Sequence, residues 1–172
     1  MTARDAREIY QLLGEARIRC WVVGGWGIDA LIGRQTRPHK DLDVLLVRGE
    51  HARARERLHR NGFILDFTWE ENTEVDSGPG VTPGHGGGPP VHTAYVLVDG
   101  DGRQIDVHVL DDDLTPLWTT DRAFVSGALE ATGTIDGIQV RCLSAQMQRI
   151  AHSGYPLPDE QRRDLELLAD SG

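Results

Sequence analysis

A chain of 172 residues with 27 acidic and 18 basic side chains, a formal net charge of -9, is long enough for one full core or for one domain plus a small appended bundle. The acidic balance argues against nucleic acid as a partner, which calls for a basic face, and is compatible with a cationic small molecule. The opening MTARDAREIY has no apolar leader core, no apolar run reaches membrane-spanning length, and Cys20 and Cys142 lack metal-ligand spacing. The expectation is a cytoplasmic protein with no membrane partner and two reduced, buried thiols, a single disulfide being the alternative.

In chain order, Ile9, Leu12, Leu13 and Ala16 recur at helical spacing and predict a helix over residues 5–16, with Asp5 and Glu8 in its first turn. Residues 20–23 (CWVV) read as a buried strand that stops at Gly24-Gly25. A short helix over 26–32 follows, ended by Gly33. A basic connection over 34–40 leads into a strand at 41–47 (DLDVLLV). A charged helix over 50–61 and a strand over 63–69 come next. Residues 77–90 (SGPGVTPGHGGGPP) cannot hold regular structure and read as a mobile loop, either a lid or binding loop or a disordered insertion. Strands at 93–98 and 104–110 flank Asp99-Gly100-Asp101-Gly102 as a hairpin, and a second hairpin turns at Asp136-Gly137 between 133–135 and 138–142. Ser144 caps a helix over 145–152, and a last amphipathic helix covers 159–169. Helices and strands in this order predict an α/β or α+β layer fold, and the hairpins of the second half favour α+β.

Three features carry candidate chemistry. Side chains alternate across a strand, so Asp41 and Asp43 leave one face while Leu42, Val44 and Leu46 leave the other. Two carboxylates about 7 Å apart repel unless a cation lies between them, and a hard divalent ion such as Mg²⁺ resolves that conflict. Two solvated aspartates at a strand start are the alternative. Asp106 stands mid-strand between Ile105 and Val107, where a carboxylate is unfavourable. If its strand lies beside the first, three carboxylates converge to hold one or two metals, with Asp106 able to take a hydroxyl proton. Otherwise Asp106 and His108 sit on a wet sheet face. Gly24-Gly25 before a helix makes a backbone phosphate cradle. Arg37 and His39 are natural partners for triphosphate oxygens.

Gly25-Trp26-Gly27-Ile28-Asp29-Ala30 also fits a dinucleotide fingerprint, with Asp43 near the ribose position. The hairpins of the second half do not suit repeated βαβ units, and that reading leaves Asp41 and Asp106 without a role.

Taken together, Gly24-Gly25-Trp26, then Thr36-Arg37-x-His39-x-Asp41-Leu42-Asp43, then Ile105-Asp106-Val107-His108 resemble the nucleotidyltransferase superfamily. The chain is most similar to its antibiotic-modifying branch, the lincosamide nucleotidyltransferases of the LinA type and the aminoglycoside 2''-nucleotidyltransferases. Residues 21–47 and His152-Ser153-Gly154-Tyr155 carry the likeness to the lincosamide enzymes. The resemblance spans roughly residues 18–168 and is weakest from about 66 to 100.

It implies a nucleotidyltransferase-like mixed β-sheet flanked by helices, with a catalytic domain at 1–142 and a small helical C-terminal part at 143–172. It implies Mg²⁺, ATP or another nucleoside triphosphate as co-substrate, and transfer of a nucleoside monophosphate to a hydroxyl of an antibiotic-like small molecule, releasing pyrophosphate. A toxin-type nucleotidyltransferase acting on tRNA or protein is the alternative. By the same resemblance Asp41 and Asp43 bind metal, and Asp106 is a metal ligand or general base. Gly24, Gly25 and Trp26 line the nucleotide site with Arg37 and His39, and the enzyme is a homodimer. The superfamily's usual Gly-Ser is Gly-Gly-Trp here, so a phosphate-holding hydroxyl is absent. The run at 77–90 falls where acceptor-binding elements are expected, which leaves the acceptor open.

Overall fold

A computed structural model gives the fold over residues 1–68, 74–75, 91–92, 94–117, 124–153 and 156–170. Helix α1 (Ala3–Glu15) begins ahead of the predicted residue 5 because Thr2 and Asp5 form a reciprocal capping box, each side chain satisfying the other's backbone N–H. It buries Ala6, Ile9 and Leu13. Strand β1 (Cys20–Val22) is followed by α2 (Gly24–Ile32), which starts at the glycine pair itself and ends on Gly33 at φ +81°. Then come β2 (Asp41–Val47), α3 (Arg48–His59), β3 (Ile64–Thr68), β4 (Glu74–Val75), β5 (Val91–His92), β6 (Ala94–Val98) and β7 (Gln104–Leu110). The chain continues through β8 (Ala131–Ile135), β9 (Ile138–Cys142), α4 (Ala145–Ala151) and α5 (Asp159–Asp170). The Gly/Pro run at 77–90, Thr93, and Gly154-Tyr155 lie outside the described residues. A short β4–β5 ladder flanks the run, which sequence did not suggest.

The other strands form a seven-stranded mixed sheet in the order β3-β6-β7-β2-β1-β9-β8. The β6–β7 and β8–β9 hairpins stand where the Asp-Gly turns place them, and the sheet is flanked by helices as expected. Neighbours β1 and β2 are antiparallel, whereas a dinucleotide-binding βαβ unit requires parallel strands. The glycines of α2 therefore do not belong to such a unit.

Strand β2 pairs with β7 in parallel, from Asp41 opposite Gln104 to Val47 opposite Leu110. On one face Leu42, Val44 and Leu46 join Ile105, Val107 and Val109 under α1 and α3, forming the main core. The other face changes character along its length. Asp41, Asp43, Asp106 and His108 occupy one half; Leu45, Val47 and Leu110 occupy the other and pack with Leu143 and Met147 in a second, smaller core. Ser144 caps α4 by accepting from the Met147 N–H (3.3 Å), and both α4 and α5 pack against α2. None of the described helices is long and apolar enough to cross a membrane.

Candidate active site

The polar half of that face opens into a cleft of about 540 Å³ whose walls include Asp41, Asp43 and His108. Asp43 and Asp106 are direct register partners across β2 and β7. Asp43, Asp106 and His108 each offer a ligand atom, all within 4.8 Å of one another, and Asp41 stands one strand repeat away on the same face. Desolvation, followed by repulsion from Asp41 and Asp106, pushes the Asp43 carboxyl well above the usual carboxylate range. A divalent cation would relieve both effects at once, so the donor set fits Mg²⁺ through its carboxylate oxygens. His108 leaves a quarter of its side chain exposed, its Nε2 3.6 Å from Asp106 Oδ1. Burial of the rest lowers the imidazole to about 4, so the ring is neutral at neutral pH.

Beside the carboxylates lies the start of α2. The Val23 N–H donates to the Asp43 carbonyl (3.0 Å), which carries the next residue directly past the Asp43 side chain. Gly24 has φ +59°, and a Cβ there would run into the Asp43 carboxylate. No side chain caps the helix at Val23, and Val23, Gly24 and Gly25 line the cleft, an arrangement that can receive an anion at the helix start. At Gly25 a Cβ would stand 2.5 Å from His39 Nδ1 and 3.0 Å from Arg37 Nη2. Those two nitrogens fill the place a side chain at residue 25 would take.

Both are held from behind by buried carboxylates. His39, 6% exposed, has Nε2 2.5 Å from Asp29 Oδ2, and Asp29 also accepts from the Thr36 N–H and hydroxyl. Arg37 is gripped by Asp164 of α5, with Nε 3.1 and 3.0 Å from the two oxygens and Nη2 2.8 Å from Oδ2. Asp29 and Asp164 are each 2% exposed. Trp26 turns into the main core at 2% exposure and stacks obliquely on His39 at 4.5 Å; it is not among the residues that line the cleft.

The structure thus gathers Gly24, Gly25, Arg37, His39, Asp41 and Asp43 around one cleft, with Asp106 beside Asp43 and His108. Sequence reasoning missed Asp29 and Asp164, and also Gln148 of α4, which lines the same cleft. Asp29 had a signal, a charge inside the otherwise apolar helix GGWGIDALI. Asp164 had none, because α5 is charged throughout.

The sheet order, the in-register carboxylates and the glycine-led helix define a nucleotidyltransferase. Similar folds include the lincomycin-bound lincosamide antibiotic adenylyltransferase LnuA, at TM-score 0.77 and 20% identity, covering all of this chain and 99% of that one. ANT(2'')-Ia in complex with adenylyl-2''-tobramycin is similar at TM-score 0.67 and 19% identity, covering 98% and 88% of the two chains. A lincosamide resistance protein of Staphylococcus haemolyticus is 22% identical over 172 residues, 98% of this chain and 94% of that protein. The aminoglycoside-2''-adenylyltransferase family model matches residues 5–168, and the chain belongs to that family.

Proposed function

We propose that this chain transfers a nucleoside monophosphate from ATP or another nucleoside triphosphate to a hydroxyl of a lincosamide- or aminoglycoside-like antibiotic, releasing pyrophosphate. The observation that carries the reading is the register pairing of Asp43 with Asp106 beside the uncapped start of α2. Family membership favours a small-molecule acceptor over a tRNA or protein target.

In this reading Asp41 and Asp43 hold Mg²⁺, with Asp106 completing the set or accepting the proton of the acceptor hydroxyl. The ion supplies charge neutralisation between carboxylates and phosphates. The backbone N–H groups at Gly24 and Gly25 bind phosphate oxygens, and Arg37 and His39 stand where they bond the same group. Trp26 acts at one remove, as the wall behind His39. The acceptor oxygen attacks the α-phosphorus, the bond to the pyrophosphate oxygen breaks, and the hydroxyl proton passes to a carboxylate. Residues 1–142 form the catalytic domain, and the helical part at 143–172 supplies one wall of the cleft. The enzyme works in the cytoplasm as a homodimer. Ile64, Leu65 and Phe67, exposed on the edge strand β3, offer apolar surface for association, which sedimentation would read.

The test is incubation with Mg²⁺, ATP or GTP, and a panel including lincomycin and tobramycin, read by mass. A gain of one nucleoside monophosphate on a panel member supports the reading. No modified product with any member, from a chain shown to be folded, counts against it.

A further inference from the structure

A guanidinium carries five N–H bonds, and among the described residues the hydrogen bonds of Arg37 account for three of them. Nε–H is shared between the two Asp164 oxygens, one Nη2–H goes to Asp164 Oδ2, and one Nη1–H goes to the Pro38 carbonyl at 3.1 Å. Among the described residues, one N–H on each Nη remains without a hydrogen bond. The Nη2 atom is the one that stands 3.0 Å from the point where a Gly25 side chain would begin, and Arg37 lines the cleft with Gly24 and Gly25. Glu160 adds a looser contact, 3.7 Å from Nη1, and is itself largely exposed.

Asp164 is an expensive way to pack α5. A buried carboxylate paired with a guanidinium is seldom more stable than apolar side chains of the same volume. The pair is electrically neutral, so what Asp164 gives Arg37 is direction. A two-point grip on Nε and Nη2 fixes the plane of the group, and the plane fixes where the remaining N–H bonds point.

We infer that Asp164 is a positioning residue for phosphate binding: it holds the Arg37 guanidinium edge-on to the Gly24-Gly25 cradle, so that the remaining N–H groups meet the phosphate oxygens of the donor nucleotide. This rests on the nucleotidyl-transfer reading above. A helix remote in sequence thereby completes the nucleotide half of the site.

The test titrates the full chain calorimetrically with magnesium ATP and with magnesium pyrophosphate, recording thermal unfolding for each variant. Wild type binds both. Asp164→Ala weakens both by about tenfold, the loss expected when a charge-assisted hydrogen bond is no longer aimed. Asp164→Asn keeps an oxygen for the guanidinium and recovers most of the loss. Arg37→Ala loses at least as much, and adding Asp164→Ala to it costs nothing further. With an acceptor identified by the antibiotic panel, KM for ATP rises by the same factor while kcat holds. If Asp164→Ala fails to fold, Asp164→Leu, which removes the acceptor oxygens but keeps the volume, takes its place with the same expected loss.

Wild-type affinity in folded Asp164→Ala, or in folded Asp164→Leu, overturns the inference. So does a further loss on the Arg37→Ala background. Tighter phosphate binding without Asp164 would mean that it holds Arg37 back, and overturns it too. Failure of wild type to bind either ligand sinks the nucleotidyl-transfer reading and the inference together; normal wild-type binding with unaffected variants sinks the inference alone.

Discussion

Asp43 and Asp106 are register partners on adjacent parallel strands, and both carboxylates leave the sheet on the cleft face. Strand pairing thus forces together two groups that repel, and it does so on a face already partly closed to water. The rise in the Asp43 pKa comes first from that loss of water and then from repulsion by Asp41 and Asp106.

Its sign has a consequence for stability. A carboxyl raised on folding binds its proton more tightly in the folded state, so its stabilising share is complete below the unfolded pKa and is lost as pH rises through the folded value. Without metal, Asp43→Asn is therefore expected to be more stable than wild type at neutral pH, by about 1 kcal/mol or roughly 2–4 °C in Tm. The difference shrinks on acidification, and transfer activity is abolished. A metal-free melting series across the acid-to-neutral range, with wild type as stable as the variant throughout, would contradict this.

His108 titrates on the opposite slope. Because burial holds its ring at about 4, the unfolded chain takes up the proton first, near its ordinary value of about 6.5. Between those values acidification costs about 1.4 kcal/mol per pH unit from this residue. His108→Asn is expected to flatten the acid limb of the stability curve. Denaturant melts at successive pH values check it, and an unchanged slope would be the contrary result.

Gly25→Ala asks His39 Nδ1 and Arg37 Nη2 to give way, and both side chains are anchored, to Asp29 and Asp164. The expected outcome is a folded protein whose affinity for magnesium ATP falls by about tenfold. Calorimetry reads this directly; unaltered affinity would show that the two nitrogens do not face the nucleotide.

Gln148 is fully buried, and neither its amide oxygen nor its amide nitrogen has a hydrogen-bond partner among the described residues. Replacing it by methionine of similar volume removes two unsatisfied groups, so Gln148→Met should gain about 1 kcal/mol in stability. A lower Tm would reveal a partner for the amide.

Burial raises the Cys20 thiol to about 12 and Cys142 to about 11. Both are free and buried, as the sequence suggested over a disulfide. A thiol reagent should find none in the native chain and two after denaturation.

Most elements were legible because their residues repeat at strand or helix period. The bounds of β2, β7 and β9 follow from apolar alternation and the Asp-Gly turns. The same period put Asp41 and Asp43 on one face. That β7 lies beside β2 could only be posed as a condition, since parallel partners are joined through a long crossover and no local signal marks the match. Asp29 and Asp164 were illegible for another reason: a carboxylate sealed against a cation is written with the same letter as one in water. The start of α1 was missed because Thr2 and Asp5 act as a pair across three residues.

The β6–β7 hairpin has a bearing on how such a chain can change over time. Its tight turn at Gly102 fixes β7 relative to β6 whatever length of chain precedes them. Residues gained or lost in the glycine- and proline-rich run are counted before β6 begins, and so leave Asp106 opposite Asp43. The length of that run is thereby decoupled from the carboxylates.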